Sequence, residues 1–242
     1  MNTQTHLRTL LRWVGTAALL LCAMTAHAVD YKFPGANMPA GCSGKQGDYV
    51  CGDVTLAYGD TLTINGQKPA TITINGTLTT DTSTINAGGT ASELTLIVSG
   101  AVTLGYKAVI NASITAGSVV DKKGQVTIGG SITTTTGDIT LDYQTAVGGS
   151  ITTNSGAITV GQSGSVAGDV VSKTGSIVIG YAATVKGSVT GGSSVKLDQN
   201  SVVTGSVTGS STSVAVGYAA KVTGAISSAG TVTVAQNAVA SS

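Results

Sequence analysis

The most reactive side chains are scarce in this 242-residue sequence. The two histidines, the two arginines and the single tryptophan all lie near the N-terminus, at His6, His27, Arg8, Arg12 and Trp13. The rest of the chain has one glutamate, Glu93. General acid–base and nucleophilic mechanisms usually need histidine or a pair of carboxylates in a pocket. The composition therefore argues against an enzyme and predicts neither a cofactor nor a metal site.

An excess of charge of one sign is also missing. After residue 28, 10 lysines stand against 11 aspartates and glutamates, so the chain lacks the basic surface of nucleic-acid-binding proteins. No stretch after residue 28 approaches the roughly 20 apolar residues that span a bilayer. We expect neither a nucleic-acid partner nor a membrane span.

Residues 1–28 are typical of a secretory signal peptide. Arg8 and Arg12 give a basic start, residues 14–24 form an apolar run, and residues 26–28 read Ala-His-Ala, a small-x-small cleavage pattern. The mature chain is therefore expected to begin at Val29 and to be secreted or held at the cell surface.

Two cysteines, Cys42 and Cys51, remain in the mature chain. In an exported protein such a pair is most simply a disulfide that closes a small loop, with free thiols or a metal pair as the alternatives. The surrounding residues 29–53 contain most of the irregular composition, including two of the three prolines. We predict that residues 29–53 form an N-terminal cap loop closed by this disulfide.

Residues 102–242 repeat one aliphatic pattern in a single frame. The first column of the repeat is Val102, Val120, Ile139, Ile158, Ile177, Val195, Val214 and Val232. The second column is Ile110, Ile128, Val147, Val166, Val185, Val203 and Val222. The third column is Ile114, Ile132, Ile151, Val170, Val189, Val207 and Ile226. A fixed period of about 18–19 residues indicates a solenoid.

The residue types indicate strands inside each repeat. The apolar segments are short, β-branched and bounded by Gly, Ser, Asn or Asp, and they show no 3.6-residue period. We predict an all-β fold, a single-stranded parallel β-helix (β-solenoid) with three short sides and coils of about 18–19 residues. Residues 54–101 have the same composition in a less regular frame, although Val54 and Ile72 keep an 18-residue step. Two or three irregular first coils are expected there.

Two outward rows of hydroxyl side chains flank the third column. They contain Ser131, Thr133, Ser150, Thr152, Ser188, Thr190, Ser206 and Thr208. Stacked coils would space these hydroxyls about 4.8 Å apart along a row. Such rows suit ice or a glycan as a ligand, although Ser and Thr also simply tolerate a β surface.

A second period lies in the turn after the first column. Tyr106, Tyr143, Tyr181 and Tyr218 return once in every two coils, and glutamine occupies most of the coils between them. Tyrosine is amphipathic, so this row fits either a ligand-binding edge or corner residues that cover the turn of the neighbouring coil.

The N-terminal part resembles MshQ-like proteins, a family associated with biogenesis of the mannose-sensitive haemagglutinin pilus. The similar residues are Phe33-Pro34-Gly35, Cys42, Tyr49-Val50-Cys51-Gly52, Thr55-Leu56-Ala57, Gly59-Asp60-Thr61 and Lys68-Pro69-Ala70-Thr71-Ile72. Family members are generally longer. The resemblance implies pilus or other surface proteins as partners, and it leaves open that this chain is a fragment of a longer surface protein.

The regular coils resemble bactofilins, the polymer-forming bacterial proteins with a β-helical core. Residues 183–189, which read Ala-Thr-Val-Lys-Gly-Ser-Val, carry this resemblance. Bactofilins are cytosolic, so the predicted signal peptide departs from them. A solenoid must cover the apolar lumen of its last coil, so either the chain is part of something longer or Val232 and Val234 are the candidate contact with another molecule. The resemblance implies that this contact is end-to-end self-assembly.

These observations together favour a structural function. We expect an exported β-solenoid that acts at the cell surface as a self-assembling scaffold or as an adhesion-associated or pilus-associated protein. The alternative is a binding module for ice or glycan that uses the Ser and Thr rows.

Overall fold

The computed structural model describes residues 27–240. The predicted signal peptide lies outside the described residues except for His27 and Ala28. The described chain is a parallel β-solenoid of about 10 turns, which confirms the predicted fold class. None of the helical segments described in residues 27–240 is long and apolar enough to cross a membrane. Within the described residues one short 3-10 turn occurs, at Ala91–Glu93.

Each coil contributes one strand to each of three faces, and turns connect these strands. The strands are short segments rich in β-branched residues, whose side chains alternate between inward and outward positions. The strands of the first face are Val54–Leu56, Leu78–Thr80, the second half of Leu94–Leu104, the second half of Ser113–Asp121, Ile139–Leu141, Ile158–Val160, Ile177–Ile179, Val195–Leu197, Ser213–Val216 and Thr231–Val234. Each pairs in parallel with its equivalents on the neighbouring coils.

The second face is a parallel sheet of 11 strands. Its strands are Asp30–Phe33, Thr61–Ile64, Thr84–Ile85, Val109–Ile110, Thr127–Ile128, Ala146–Val147, Ser165–Val166, Thr184–Val185, Val202–Val203, Lys221–Val222 and Val239–Ala240.

The third face leads back to the first through a corner. Its strands are Asp48–Cys51, Ala70–Ile74, the first half of Leu94–Leu104, the first half of Ser113–Asp121, Ile132–Thr134, Ile151–Thr153, Val170–Ser172, Val189–Gly191, Val207–Gly209 and Ile226–Ser228. Ser43–Lys45 pairs antiparallel with Asp48–Cys51 at its N-terminal end.

The predicted second column is buried throughout, from Ile110 to Val222. The third column is buried from Ile114 to Val207, and Ile226 in the last complete coil is half-buried. Because three aliphatic columns fill the lumen, removal of apolar surface from water stabilises every coil.

The prediction was wrong for one member of the first column, Val120. Val119, not Val120, faces the lumen and pairs with both Val102 and Ile139. The corner that precedes it is two residues shorter than most of the later corners, and the pairing register shifts between Ala116 and Ser118. Since side chains alternate along a strand, a shift by one residue exchanges the inward and outward positions.

The N-terminal coils are longer than the sequence period predicts. Val54 pairs with Leu78, and Ile72 pairs with Leu96. The 18-residue step from Val54 to Ile72 was therefore wrong, because these residues lie on different faces. The extra length lies in longer turns and in longer strands such as Thr61–Ile64 and Ala70–Ile74.

The residues predicted to form a cap loop contribute strands to the stack. Asp30–Phe33 pairs with Thr61–Ile64 on the second face, and Asp48–Cys51 pairs with Ala70–Ile74 on the third. The predicted disulfide between Cys42 and Cys51 is confirmed. Residues 29–53 thus begin the solenoid and are tied together covalently.

Candidate functional surfaces

The serine row lies at the corner before the third face and bonds to the backbone of the next coil. The amide of Ser150 donates to Ser131 Oγ at 3.1 Å, and the amide of Ser206 donates to Ser188 Oγ at 3.2 Å. Where Asp169 takes the place of serine, its Oδ1 accepts from the amide of Ser188 at 2.7 Å. These hydroxyls therefore stabilise the stacking of the coils.

The threonine row lies on the outward side of the third face. Thr133 pairs with Thr152, and Thr190 pairs with Thr208, so the structure brings all four into one straight row. Val171 interrupts the row between Thr152 and Thr190. Thr133 is exposed and the other three threonines are half-buried.

The tyrosine edge is the row of residues at the start of the turn after the first face. It carries Tyr58, Tyr106, Tyr143, Tyr181 and Tyr218, all of them exposed. The residues of the coils between them are Thr82, Gly124, Gln162 and Gln199, and Gln236 follows. Tyrosine therefore occupies every second coil along nearly the whole solenoid.

Sequence reasoning missed Tyr58 because the two coils that separate it from Tyr106 are longer than the regular ones. Hydrogen bonds between neighbouring coils place Tyr58 in the same row as Tyr106. The amide of Gly59 donates to the carbonyl of Thr82 at 2.6 Å, and Thr82 Oγ1 donates to the carbonyl of Tyr106 at 2.8 Å. An alignment of the repeats that allowed longer coils at the N-terminal end would have placed Tyr58 in this row.

The residue after each position of the regular edge has a left-handed backbone. These residues are Lys107, Gln125, Gln144, Ser163, Ala182, Asn200, Ala219 and Asn237, with φ between 53° and 61°. The amides of all but Asn237 donate to the next coil, as from Ser163 to the carbonyl of Tyr181 at 2.8 Å. The edge is therefore ordered by a continuous ladder of backbone hydrogen bonds.

The phenol groups of the C-terminal tyrosines reach across to the next coil. Asn200 Nδ2 donates to Tyr181 Oη at 3.3 Å, and Asn237 Nδ2 donates to Tyr218 Oη at 2.9 Å. Tyr181 and Tyr218 each remain 44% exposed. These rings thus cover a neighbouring turn and still offer surface to solvent.

The last described coil exposes its apolar residues. Val232 and Val234 are 45% and 48% exposed, and Val239 is 53% exposed. Val214 and Val216, their partners one coil earlier, are buried. The candidate contact at Val232 and Val234 is therefore an accessible apolar surface next to an unpaired strand edge.

Charged contacts concentrate in the N-terminal coils. A hydrogen bond from Thr61 and the nearby Lys32 lower the pKa of Asp30. The backbone amide and hydroxyl of Thr77 lower the pKa of Asp53.

Glu93 belongs to the same group. Lys68 Nζ, 3.0 Å from Glu93 Oε2, and the amide of Thr90 lower the pKa of this carboxyl. Each of these carboxylates is favoured in its ionised form by at least one donor from a neighbouring coil. They connect turns of the longer coils.

Two buried carboxylates have structural partners. Asp60 Oδ1 accepts from the amide of Val29 at 2.8 Å, and Asp60 Oδ2 accepts from the amide of Ala57 at 2.7 Å. Asp121 lies opposite Leu104 in the lumen and accepts from the amide of Gly124 at 2.8 Å and from the Thr145 hydroxyl. Sequence reasoning did not find either role.

Within residues 27–240, no group of three or more His, Cys, Asp or Glu side chains is arranged to hold a metal ion. A shallow groove on the first face is lined by Thr55, Thr79 and Thr103, with Lys122 and Lys123 beside it. Comparisons with protein-family models, curated proteins and solved structures find no match to this chain. The fold defines the class, a disulfide-containing parallel β-solenoid protein, and the resemblances to MshQ-like proteins and bactofilins remain predictions.

Proposed function

We propose that this chain is an exported structural protein, a stiff β-solenoid that serves at the cell surface as a scaffold or adhesive spacer. The observation that supports this most is the continuity of the stack. Parallel pairing runs from Asp30–Phe33 to Val239–Ala240 without a break, so the described residues form one rod. The resemblance to MshQ-like proteins adds pilus or other surface proteins as partners.

The contact between Val29 and Asp60 supports export with cleavage after Ala28. The nitrogen of Val29 lies 2.8 Å from Asp60 Oδ1, and Asp60 is 3% exposed. Cleavage would turn this amide into an α-ammonium group facing a buried carboxylate. The amide already donates to this carboxylate, and a positive charge at the same nitrogen would add a Coulombic attraction to that hydrogen bond. Processing would therefore strengthen the first coil.

Intact mass and melting temperature test this part of the proposal. Exported protein should begin at Val29; a chain that retains residues 1–28 would contradict it. A Gly-Ser extension before Val29 should lower the melting temperature, because it moves the α-ammonium group away from Asp60 and leaves a neutral amide at Val29. In the Asp60→Asn background the same extension should have little further effect.

We further propose that the solenoid assembles end to end through its last described coil. Val232, Val234 and Val239 are about half exposed there, and an unpaired strand edge is a template for another strand. A second copy that continues the ladder would cover these valines and pair the open backbone.

Electron microscopy and light scattering of the purified mature protein test assembly. Wild-type protein should form rods longer than one molecule, and Val232→Lys combined with Val234→Lys should give monomers. Thr233→Lys is the matched control, because Thr233 is the exposed residue between them on the same strand. A wild-type protein that stays monomeric at high concentration would leave a passive spacer as the better proposal.

The straight threonine row supports a second candidate, a module that binds ice or a glycan on the third face. Thr133 and Thr152 lie in register and leave their outward side to solvent. Shaped crystals in a freezing droplet, lost on Thr133→Lys with Thr152→Lys, would support ice binding. Ice crystals without such shaping would contradict ice binding.

A further inference from the structure

The tyrosine edge has a regular geometry that the scaffold role does not use. Neighbouring strands lie about 4.8 Å apart, so tyrosines on every second coil recur at about 9.6 Å. Five of the seven tyrosines of the sequence, Tyr58, Tyr106, Tyr143, Tyr181 and Tyr218, follow this row, and each is at least 38% exposed. The edge is therefore a line of separate aromatic rings at one fixed spacing.

Two of the rings pack along the solenoid. The bond between Tyr181 Oη and Asn200, which belongs to the next coil, shows that this ring reaches along the solenoid axis. Tyr218 repeats this arrangement with Asn237. The edge position of each covered turn is a glutamine, Gln199 or Gln236. Tyr181 and Tyr218 are therefore held in place before any ligand arrives.

We infer that the tyrosine edge binds an extended, uncharged β-1,4-linked polysaccharide, with one tyrosine stacked on every second sugar. The C–H groups of a pyranose ring form an apolar face that packs on an aromatic ring. Successive sugars of such a chain alternate in orientation, so the same face recurs every second sugar. That disaccharide repeat is close to the spacing of the rings.

The residues between the rings fit the same ligand. Gln162, Gln199 and Gln236 are exposed between or beside the tyrosines, and a glutamine amide both donates and accepts hydrogen bonds. Sugar hydroxyls do the same. The near balance of lysines and acidic residues after residue 28, 10 against 11, creates no strong field that would select a charged polymer.

The shape of the edge favours a linear ligand over a second protein. A stable protein interface covers about 800 Å² on each partner, whereas the tyrosine edge is one residue wide. A single polysaccharide chain is about as wide as one sugar ring. Tyr181 and Tyr218 are also pre-positioned by their bonds to Asn200 and Asn237, which lowers the entropic cost of binding.

This inference gives a ligand class to the proposed adhesive role, and it does not depend on end-to-end assembly. The test is co-sedimentation of the purified mature protein with microcrystalline cellulose and with chitin. Tyr143→Ala with Tyr181→Ala should weaken binding by at least about tenfold, since a truncated tyrosine anchor commonly costs that much. Ser165→Ala with Thr184→Ala, a pair on the second face outside both proposed binding rows, is the matched control and should bind like wild type.

A spacing variant tests the match between the two repeats. Tyr181→Gln with Gln199→Tyr keeps the number of rings and moves one of them by one coil. Binding should fall as it does for the alanine variant, while Tyr181→Phe, which keeps the ring and loses only its bond to Asn200, should bind less well than wild type but better than the alanine variant. Circular dichroism melting of each variant separates loss of binding from loss of fold.

The inference is overturned if wild-type protein stays in the supernatant with both polysaccharides, or if the alanine variant binds as well as wild type. If the spacing variant binds as well as wild type, the proposed match between the tyrosine spacing and the disaccharide repeat is wrong. A tyrosine variant that changes the oligomeric state without changing sedimentation would assign the edge to a second copy. Failure of export or of assembly would leave these measurements unaffected.

Discussion

The N-terminal coils, residues 30–101, and the regular coils, residues 102–240, reach the same fold by different means. The N-terminal coils have long steps, as from Val54 to its partner Leu78, and a disulfide and the Lys68–Glu93 ion pair tie their turns. The regular coils have short corners and few charged contacts. Long turns leave more chain to order, and local bonds offset part of that cost.

The regular coils depend on their neighbours instead. Ile177, Val185 and Val189 of one coil are fully buried only because coils lie above and below them. Each repeat of a solenoid contacts only its neighbours, so stability adds along the stack. The comparison predicts that damage in the regular coils spreads through the lumen, whereas damage in the N-terminal coils stays near the lost bond.

The largest expected effect is a charge in the regular lumen. Val185→Asp should destabilise the protein by several kcal/mol, because Val185 is fully buried among aliphatic side chains and a carboxylate there has no partner. Lys186→Asp, one residue away on the exposed side, should change stability by no more than about 0.5 kcal/mol. Thermal melting measures both, and equal shifts would contradict the inward frame.

The second effect belongs to the N-terminal coils. Cys42→Ser with Cys51→Ser should cost about 2–3 kcal/mol in the chain-entropy model. The loss should appear as faster hydrogen exchange in residues 30–56, and residues 139–222 should keep their protection. Uniform loss of protection along the whole rod would contradict the distinction between the two regions.

Acid should act on the same N-terminal region with a smaller effect. The folded pKa values of Asp30, Asp53 and Glu93 lie below their ordinary values. Their contribution to stability is therefore present above the unfolded pKa, about 4, and is lost as pH falls through the lower folded pKa. Hydrogen exchange, corrected for its intrinsic pH dependence, should show opening of residues 30–93 below about pH 4.

The Asp53→Asn variant provides the control for the acid experiment. Asparagine keeps an oxygen that can accept from Thr77 but has no charge to lose. Its turn should therefore open with a weaker dependence on pH than in the wild type. If the turn opens with the same pH dependence in both proteins, Asp53 does not contribute to the acid effect.

Much of the regular half could be predicted from sequence, because its coils are nearly equal in length. The regular period alone was enough to predict the second column, from Ile110 to Val222. The same period failed from Val54 to Ile72, since three similar strands per coil allow an alignment on the wrong face. Outward serines such as Ser131 have the composition of a ligand surface, and only the bond to Ser150 reveals their role in stacking.

Contacts between distant turns were also beyond the sequence. Asp121 interrupts an aliphatic position of the lumen, and its partners Gly124 and Thr145 are known only from the coil geometry. The approach of Val29 to Asp60 likewise depends on how the first two coils stack. Such contacts follow from turn lengths that no local pattern specifies.

The smallest predicted effect tests the turns of the regular coils. Ala182 has a φ of 53°, a left-handed conformation that costs an L-residue other than glycine or asparagine about 1 kcal/mol. The equivalent residue of the next coil is Asn200, which tolerates this conformation. Ala182→Gly should therefore raise stability by about 0.5 kcal/mol after the added freedom of the unfolded chain is subtracted.

Ala167→Gly is the matched control for this turn variant. Ala167 is exposed in a turn of the preceding coil and does not have a positive φ. Glycine there only increases the freedom of the unfolded chain, so stability should fall by about 0.4–1 kcal/mol. Denaturant midpoints that move in opposite directions for Ala182→Gly and Ala167→Gly would support the ladder of left-handed turns. Two midpoints that move down together would mean that the Ala182 turn carries no strain for glycine to relieve.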